Sequence, residues 1–412
     1  MSEWSITKLG DVLEITNGYA FKSVNFRSEP EAGCLPVLKI KNVANGDVHI
    51  NDVQYHHFEE KLSKYTAQKG DILISLTGNH PHAETQVVGA VSKLKMDIRA
   101  FVNQRVAKID IKPNLADKDY IYFALKEEGL SKYLASQSSG SANQANISKA
   151  DIEDLDIALP PLPEQKTIAS VLSSLDDKID LLHRQNKTLE AMAETLFRQW
   201  FIEEAKEEWE EVSLADVVES ANTGLDAIRR APIVEDNTGI KCLRIQDISQ
   251  CKPFHLWGNS QVLEKDFKKA QLKYGDLIMA RTCSPGIVYL CREDLPAVFN
   301  NGLAKIRPNL SKTYSLFLYY LFKSEEFIGH IYGISDGTSV QLNMKLGDLL
   351  SYKLRFPSKT RQDEIYPIFH SLNEKQFYNS KQIQTLENLR NTLLPKLMSG
   401  EVRVQYQTED VA

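Results

Sequence analysis

The sequence repeats itself once, and this duplication constrains the fold more than any other feature. Residues 139–152 read SGSANQANISKADI and residues 336–349 read DGTSVQLNMKLGDL. One glycine and two amide residues recur 197 residues apart, namely Gly140 with Gly337, Gln144 with Gln341, and Asn146 with Asn343. A flexible linker has no reason to preserve such spacing, so we expect an ordered turn in which the amides bond to backbone.

A second set of matching blocks lies further upstream at a spacing of 205 residues. LPVLKIKNV (35–43) matches IKCLRIQDI (240–248), and KGDILIS (69–75) matches YGDLIMA (274–280). The second copy is therefore eight residues shorter in the loops after the GD blocks. A repeat of about 200 residues indicates a duplicated domain, because solenoid repeats are only about 20–50 residues long.

Each copy begins with a mixed region of strands and helices. Short apolar runs at 35–40, 71–76, 87–94 and 105–111 predict strands, since they are bounded by turn residues. The run at 119–136 predicts one helix, and 314–322 is its counterpart in the second copy. The sequence therefore predicts an α+β fold with two pseudo-repeated mixed α/β domains.

A long helix is predicted at the end of each copy, because apolar positions there alternate in steps of four and three. The first seam consists of Ile168, Leu172, Leu175, Ile179, Leu182, Asn186, Leu189, Ala193, Leu196 and Trp200. The second consists of Ile365, Phe369, Leu372, Gln376, Asn379, Ile383, Leu386, Arg390, Leu393 and Leu397. Two such helices can bury each other's seams as an antiparallel coiled coil, with Asn186 and Asn379 specifying register. The alternative is that each helix packs on its own domain.

Composition and motifs exclude several classes of protein. With 42% hydrophobic and 25% charged residues, the chain is expected to fold. We expect no secretory signal and no membrane span, and five scattered cysteines without CxxC spacing indicate reduced thiols. Phosphate-binding loops and catalytic motifs are missing from the sequence, and His56 with His57 is interpreted as a surface or turn pair rather than a metal site.

Four motifs, found in order, resemble those of the specificity subunit of type I restriction–modification systems. They are WSITKLGD (4–11), GDILIS (70–75), GSANQANI (140–147) and PPLPEQ (160–165) before the long helix. The second copy repeats the middle two as GDLIMA and GTSVQLNM, but PPLPEQ becomes FPSKTRQ and Ala215 stands where the first copy has Gly10. The docking surfaces of the two helices are therefore expected to be unequal.

The resemblance implies a non-catalytic subunit that recognises a bipartite DNA target. The implied regions are target-recognition domains at 1–160 and 207–358, helical spacers at 161–206 and 359–400, and a tail at 401–412. Its expected partners are double-stranded DNA, two methyltransferase subunits and restriction (motor) subunits. No cofactor is expected in this chain, because S-adenosylmethionine belongs to the methyltransferase and ATP with Mg²⁺ to the restriction subunit. A cytoplasmic location is expected.

Candidate DNA-contacting residues are amide, hydroxyl and basic side chains in loops beside the predicted strands. In the first copy they are Lys39, Lys41, Asn42, Thr77, Asn79, His80, His82, Gln104, Arg105, Ser141 and Asn143. In the second copy they are Arg229, Arg230, Arg244, Gln246, Arg281, Thr282, Ser284, Asn301, Thr338 and Ser339.

Two interpretations of these candidates stay open. Lys39 and Arg244 occupy matching positions on predicted strands, so they contact DNA or simply cover a solvated face. Asn103 and Asn300 also match between copies, which favours a scaffold or backbone role, because two different half-sites need different readers. At the level of function, an enzyme that cuts or modifies DNA alone and a coiled-coil adaptor are the alternatives, and neither explains both the duplication and the lack of catalytic motifs.

Overall fold

The computed structural model describes residues 4–43, 46–78, 87–137, 145–334 and 343–405. It divides into two compact units. The first unit contains Met1–Asp180 and Gln384–Ala412, and the second contains Leu181–Ile383. Each unit therefore holds one copy of the repeat together with part of both long helices. Among the described residues, no helix is both long and apolar enough to cross a membrane.

The first copy alternates short strands with short helices before its long helix. Its strands are β1 (Ser5–Lys8), β2 (Leu13–Asn17), β3 (Cys34–Leu38), β4 (Gln54–His57), β5 (Thr66–Gln68), β6 (Ile72–Ser75), β7 (Thr77–Gly78), β8 (Val91–Lys93), β9 (Arg99–Val102), β10 (Val106–Ile111), β11 (Ala145–Asn146) and β12 (Asp156–Leu159). Its helices are α1 (Leu9–Val12), α2 (Ile40–Val43), α3 (Lys118–Lys126), α4 (Glu128–Gln137), α5 (Lys149–Glu153) and α6 (Leu162–Arg198). Short 3₁₀ turns cover Ser23–Asn25 and Glu60–Tyr65.

The second copy follows the same plan after a π-helical turn at Gln199–Glu203. Its strands are β13 (Glu210–Ser213), β14 (Val218–Thr223), β15 (Ile233–Val234), β16 (Lys241–Leu243), β17 (Gly258–Ser260), β18 (Leu277–Ala280), β19 (Val288–Leu290), β20 (Ala297–Phe299), β21 (Leu303–Pro308) and β22 (Lys353–Phe356). Its helices are α7 (Leu214–Val217), α8 (Ile245–Ser249), α9 (Glu264–Ala270), α10 (Ser315–Lys323), α11 (Glu325–Ile334), α12 (Leu346–Leu350) and α13 (Lys359–Met398). A 3₁₀ turn covers Phe254–Leu256.

The sheets of the two units have matching topologies. The order β2-β10-β6-β8 in the first unit corresponds to β14-β21-β18-β19 in the second, and both sheets are antiparallel. The second sheets, β4-β3-β9-β5 and β15-β17-β16-β20, share three strands, because β4, β3 and β9 correspond to β17, β16 and β20. In both sheets the first of these pairings is antiparallel and the second, β3 with β9 or β16 with β20, is parallel. The predicted α+β duplication is thus confirmed at the level of strand pairing.

The predicted single helix at 119–136 is wrong, because α3 and α4 are separate helices. Glu127 between them has an extended backbone, and its carboxylate accepts the N–H of Leu130 at 3.0 Å, as a helix-capping group does. The second copy breaks at the equivalent place, where the hydroxyl of Ser324 accepts the N–H of Phe327 at 3.3 Å. An N-capping group therefore starts a new helix at this point in both copies.

The two long helices pair in antiparallel fashion. In the first unit, Arg390 of α13 donates from Nη1 to Asp176 of α6 at 2.8 Å. In the second unit, Asn379 Nδ2 donates to Asn186 Oδ1 at 2.9 Å. In the second unit, a later position of α6 meets an earlier position of α13, because Asn186 contacts Ser380 whereas Glu190 contacts Gln376. All twenty predicted seam positions are buried or half-buried, so the predicted coiled coil is confirmed.

Residues of the long helices also belong to the hydrophobic cores of the domains. The helices therefore pack on each other and on the domains, so both arrangements considered from the sequence are present. Ile168 and Leu172 of α6 lie in one hydrophobic cluster with Tyr120 and Phe123 of α3. In the second unit, Phe197 of α6 clusters with the aromatic residues of α10 and with α13. The long helices therefore pair with each other and also contribute side chains to the hydrophobic cores of the domains.

A buried glutamine fixes the start of each long helix. Gln165 donates from Nε2 to the carbonyl of Pro160 at 2.8 Å, and its Oε1 accepts the N–H of Asp117 at 2.8 Å. Gln362 repeats the arrangement with Pro357 at 3.2 Å and accepts from the hydroxyl of Thr313 at 2.8 Å. The repeated Pro and Gln of the PPLPEQ motif thus satisfy buried polar groups at the junction between domain and helix.

Candidate nucleic-acid interface

The sequence predicts that Lys39 and Arg244 lie on strands, and this prediction is wrong. β3 ends at Leu38, and the following turn is closed by Asn42, whose Oδ1 accepts the N–H of Lys39 at 3.0 Å. β16 ends one residue before Arg244, whose N–H donates to Asp247 Oδ2 at 3.0 Å. Both basic residues therefore begin a short helix, α2 or α8, directly after a central strand.

Asn42 is fully buried, which contradicts its assignment as a DNA contact in this conformation. Its Nδ2 donates to the carbonyl of Asn51 at 3.1 Å, and its Oδ1 is used by Lys39. Both polar groups of the amide are thus engaged inside the protein. Asn42 caps a turn, and the equivalent Asp247 is buried in the same role.

The side chains around the two turns differ in chemistry. Lys39 Nζ lies 4.5 Å from the centroid of the Phe26 ring and donates to Gln54 Oε1 at 2.6 Å. Partial burial, and to a smaller extent the charge of Lys41, lower the pKa of Lys39. Lys41 itself is exposed.

Arg244 is instead paired with a buried carboxylate. Its Nε and Nη2 donate to the two oxygens of Asp247 at 3.0 and 3.1 Å. The guanidinium is therefore held in a fixed plane beside the exposed Gln246. The same backbone turn thus carries two lysines in one copy and a fixed arginine with an amide in the other.

Thr77 is also buried rather than presented to solvent. Its hydroxyl donates to Asn146 Oδ1 at 2.8 Å, across the pairing of β7 with β11. In the second unit Thr282 forms an isolated bridge with Asn343, the equivalent asparagine. The Asn of each repeated motif thus joins two segments of its domain, and we call these pairings, Thr77 with Asn146 and Thr282 with Asn343, the clasp of each copy. Because Thr77 is buried in this pairing, its assignment as a DNA contact is corrected.

Arg281 is bound to backbone carbonyls of its own unit. Its Nε donates to Met344 O at 3.2 Å and its Nη1 to Asn301 O at 3.3 Å. A bidentate contact to guanine from this position requires those bonds to break. The neighbouring Ser284 and Asn301 are exposed, so they remain free to present polar groups from the same surface.

Arg229 and Arg230, in the loop between β14 and β15, differ in their surroundings. Asp226 closes the loop by accepting the N–H groups of Ile228 and Arg229 at 3.0 and 2.7 Å. The guanidinium of Arg230 donates from Nε to Asp266 Oδ2 at 3.2 Å. Both arginines are exposed, so both remain candidates for phosphate contacts.

Gln104 and Arg105 lie on an exposed turn between β9 and β10. The backbone of this turn is bound on both sides, since Gln104 N donates to Tyr19 O and Leu76 N donates to Arg105 O, each at 3.0 Å. The remaining candidates lie outside the described residues, namely Asn79, His80, His82, Ser141, Asn143, Thr338 and Ser339.

Sequence reasoning missed two glycines that bring backbone segments together in each domain. A Cβ at Gly18 would lie 2.2 Å from the carbonyl oxygen of Asn103, and one at Gly224 would lie 2.1 Å from that of Asn300. No side chain fits at such a distance. The matched Asn103 and Asn300 therefore have the scaffold role that their repetition suggested. The signal was present as N-G in NGYA and T-G in TGLD.

His56 corrects another expectation, since it is not a surface residue. It lies buried on β4, with its ring 4.8 Å from Phe21 and 5.9 Å from Phe101 between centroids. Within the described ranges, no cluster of His, Cys, Asp or Glu has the geometry to hold a metal ion.

Comparisons with known proteins agree with this architecture. The family model described as the type I restriction modification DNA specificity domain matches residues 1–191 and again 206–388. The MjaVIII specificity subunit of a type I restriction enzyme from Methanocaldococcus jannaschii is 24% identical over 431 residues, which cover 98% of this chain and 94% of that protein. The EcoBI specificity subunit from Escherichia coli is 23% identical and covers 99% and 88%, respectively. The crystal structure of a type I restriction–modification S subunit from M. genitalium has a TM-score of 0.60 at 17% identity and covers 96% of each chain.

The chain belongs to the family of type I restriction–modification DNA specificity proteins, with one family domain in each copy. It is accordingly a DNA-specificity subunit, the non-catalytic and DNA-recognising component of a type I restriction–modification complex.

Proposed function

We propose that each unit reads one half of a split DNA sequence and that the paired helices set the distance between the halves. The observation that carries this proposal is the repeated turn after β3 and β16. A similar turn, closed in the same way by Asn42 or Asp247, presents Lys41 in one copy and Gln246 in the other. Similar turns with unequal side chains are what two readers of different sequences require.

Base readout favours such side chains at the ends of strands. Lysine donates to the O6 and N7 acceptors of guanine, whereas glutamine pairs with the N6 and N7 positions of adenine. The flanking basic residues, Lys39 in one unit and Arg229 in the other, would neutralise phosphates and fix the orientation. The half-sites should lie on one face of DNA, with their centres about one helical turn apart.

The partners proposed for this subunit follow from its family. Two methyltransferase subunits that use S-adenosylmethionine would dock on the helices and methylate adenine in both half-sites. Restriction subunits that use ATP and Mg²⁺ would translocate and cleave unmodified DNA. This chain would supply recognition and scaffolding to both activities, in the cytoplasm.

Sequencing of methylated adenines tests this proposal. The chain is co-expressed with its methyltransferase subunit in a host that lacks adenine methylation. We expect a two-part motif with a fixed unspecified gap, and a Gln246→Ala variant should relax the motif in one half only. Lys41→Ala, the matched variant, should relax the other half. A contiguous motif, or relaxation of both halves by one substitution, would contradict the proposal.

A further inference from the structure

The most exposed large hydrophobic side chain of each unit lies at the tip of a loop. Among the described residues these are Val24 in the first unit, 80% exposed, and Ile228 in the second, 84% exposed. One exposed aliphatic side chain is ordinary and needs no explanation. These two, however, occupy the same loop of the duplicated domain, which makes chance exposure a poor explanation.

The two loops begin in the same way. Gly18 N donates to Val106 O at 2.9 Å, and Gly224 N donates to Leu303 O at 3.1 Å. Val106 and Leu303 are themselves equivalent, since each is the first residue of the strand that pairs with the first strand of its sheet, β10 with β2 and β21 with β14. The close approach of backbone at the two glycines therefore fixes the base of each loop.

The two loops also end in the same way and have the same length. Nine residues after Gly18, Arg27 pairs with Tyr55 of β4. Nine residues after Gly224, Ile233 pairs with Ser260 of β17. Each loop thus connects one sheet of its domain to the edge of the other sheet. Both ends of the loop are held by backbone pairing, and the exposed aliphatic side chain lies between them.

Basic residues flank both tips. Lys22 and Arg27 are exposed on either side of Val24, and Arg229 and Arg230 directly follow Ile228. The acid of the second loop is turned toward its own backbone, because Asp226 accepts two N–H groups of the loop. Arg27 lies 3.6 Å from the carboxylate of Glu31 and Arg230 pairs with Asp266, so Lys22 and Arg229 are the cations that we expect to meet a polyanion at the two tips.

Each loop adjoins the turn already identified as a candidate reader. Lys39 Nζ lies over the ring of Phe26, two residues beyond Val24. In the second unit, Ile233 lies on β15, which is separated by β17 from β16, the strand that ends one residue before Arg244. The loop and the turn thus form one continuous surface in each unit.

We propose that Val24 and Ile228 each contact the C5-methyl group of a thymine in the major groove, one in each half-site. Apolar contact with this methyl group is a direct way to distinguish thymine from other bases. The flanking cations would contact the adjacent phosphates and hold the tip in the groove. This inference rests on the proposed bipartite recognition and names a base-reading element for each half.

Replacement of thymine by deoxyuridine tests the contact, since it removes only the methyl group. Duplexes carrying the motif found by methylation sequencing are prepared with single replacements and bound by the chain in complex with its methyltransferase subunit. Every half-site methylated on adenine contains a thymine opposite it, so each half can be probed. For one thymine in each half-site we expect a roughly fourfold loss of affinity, the value of one buried methyl-sized group.

The variants assign each contact to its loop. Val24→Ser should abolish sensitivity to deoxyuridine in one half-site only, and Ile228→Ser in the other only. Leu115→Ser and Leu256→Ser, which alter exposed leucines elsewhere in the two units, should leave both sensitivities intact. Each substitution changes an exposed side chain, so the fold is expected to persist.

Two results would overturn the inference while leaving bipartite recognition intact. One is tight binding of the unmodified target with no sensitivity to deoxyuridine at any thymine. The other is sensitivity that survives both serine substitutions. A complex that fails to bind the methylated motif at all would instead contradict the proposed function, and this inference with it.

Discussion

Thr77 Oγ1 donates a hydrogen bond to Asn146 Oδ1 at 2.8 Å, across 69 residues of chain. The equivalent Thr282 and Asn343 pair through their backbones across only 61 residues. The eight-residue difference between the copies therefore lies inside this clasp, while its two ends keep their pairing. This arrangement explains why the Gln-x-Asn motif recurs in phase, since its asparagine closes each domain.

Removing the hydroxyl of the first clasp should destabilise the first unit. Thr77→Val keeps the shape of the side chain but removes the hydrogen bond from the buried Thr77 hydroxyl to the exposed Asn146, at a cost of about 0.5–1.5 kcal/mol. Urea unfolding of the purified chain measures this loss. Thr188→Val, which alters an exposed hydroxyl of α6 that donates to the carbonyl of Arg184, is the control and should change stability by less than about 0.5 kcal/mol. Equal effects of both substitutions would show that the clasp contributes nothing.

The glycines at the base of the two loops should tolerate no side chain. In Gly18→Ala the new methyl group would meet the backbone carbonyl of Asn103, and in Gly224→Ala that of Asn300. Backbone atoms cannot move aside as a flexible side chain can, so we expect a loss above about 3 kcal/mol or failure of that unit to fold.

Gly329→Ala provides the matched control for these variants. Gly329 lies in α11 with open space at its Cβ position, so alanine should stabilise the helix by up to about 1 kcal/mol. Thermal unfolding followed by circular dichroism distinguishes the two directions. Tolerance of alanine at Gly18 would contradict the close approach described for that loop.

Stability of the second unit should depend on pH through Glu190. Burial alone would raise the pKa of this carboxyl, but Lys323 and hydrogen bonds from Gln376 and Tyr319 outweigh burial and hold it below its usual value of 4.5. A carboxyl with a lowered folded pKa stabilises the fold above its unfolded pKa and loses that contribution as pH falls through the folded value. The stabilisation should therefore be complete near pH 7 and decline below about pH 4.5.

Glu190→Gln should remove this pH-dependent contribution. At pH 7 we expect a loss of about 2 kcal/mol, because Lys323 loses the more buried of the two carboxylates that it pairs with. The difference from the wild type should shrink toward pH 3 in urea titrations of both proteins. Glu194→Gln removes a more exposed carboxylate from the same lysine and should cost less. A constant difference across this pH range would exclude the assigned role.

Periodicity and repetition were sufficient to predict the architecture. The heptad seams predicted helices of the observed extent because burial of a 3.5-residue repeat leaves few alternatives. Repeated blocks predicted the paired domains because equal sequences at equal spacing require equal strand pairings. The break at Glu127 escaped prediction, since its carboxylate starts a new helix only by capping it locally, and glutamate is a common residue inside helices.

The candidate interface was less predictable, because residue type does not reveal where a polar group is directed. Asn42 and Thr77 are polar residues beside predicted strands, yet each is buried and hydrogen-bonded within the protein. Val24 and Ile228 were overlooked because an aliphatic residue in a loop gives no signal by itself. Their shared location in one loop of the repeat becomes visible only when both ends of the loop are traced to paired strands.

The spacing role of the helices is the central claim, and shortening both helices by one heptad tests it most directly. Deleting residues 177–183 of α6 and 383–389 of α13 removes two seam positions from each helix while keeping the pairing of the remainder in phase. Seven residues of helix span about 10.5 Å, or roughly three base pairs at 3.4 Å each. Sequencing of methylated adenines should show both half-sites unchanged and the gap shortened by about three base pairs. Unchanged half-sites with an unchanged gap would contradict the claim that the paired helices set the distance between the two recognised sequences.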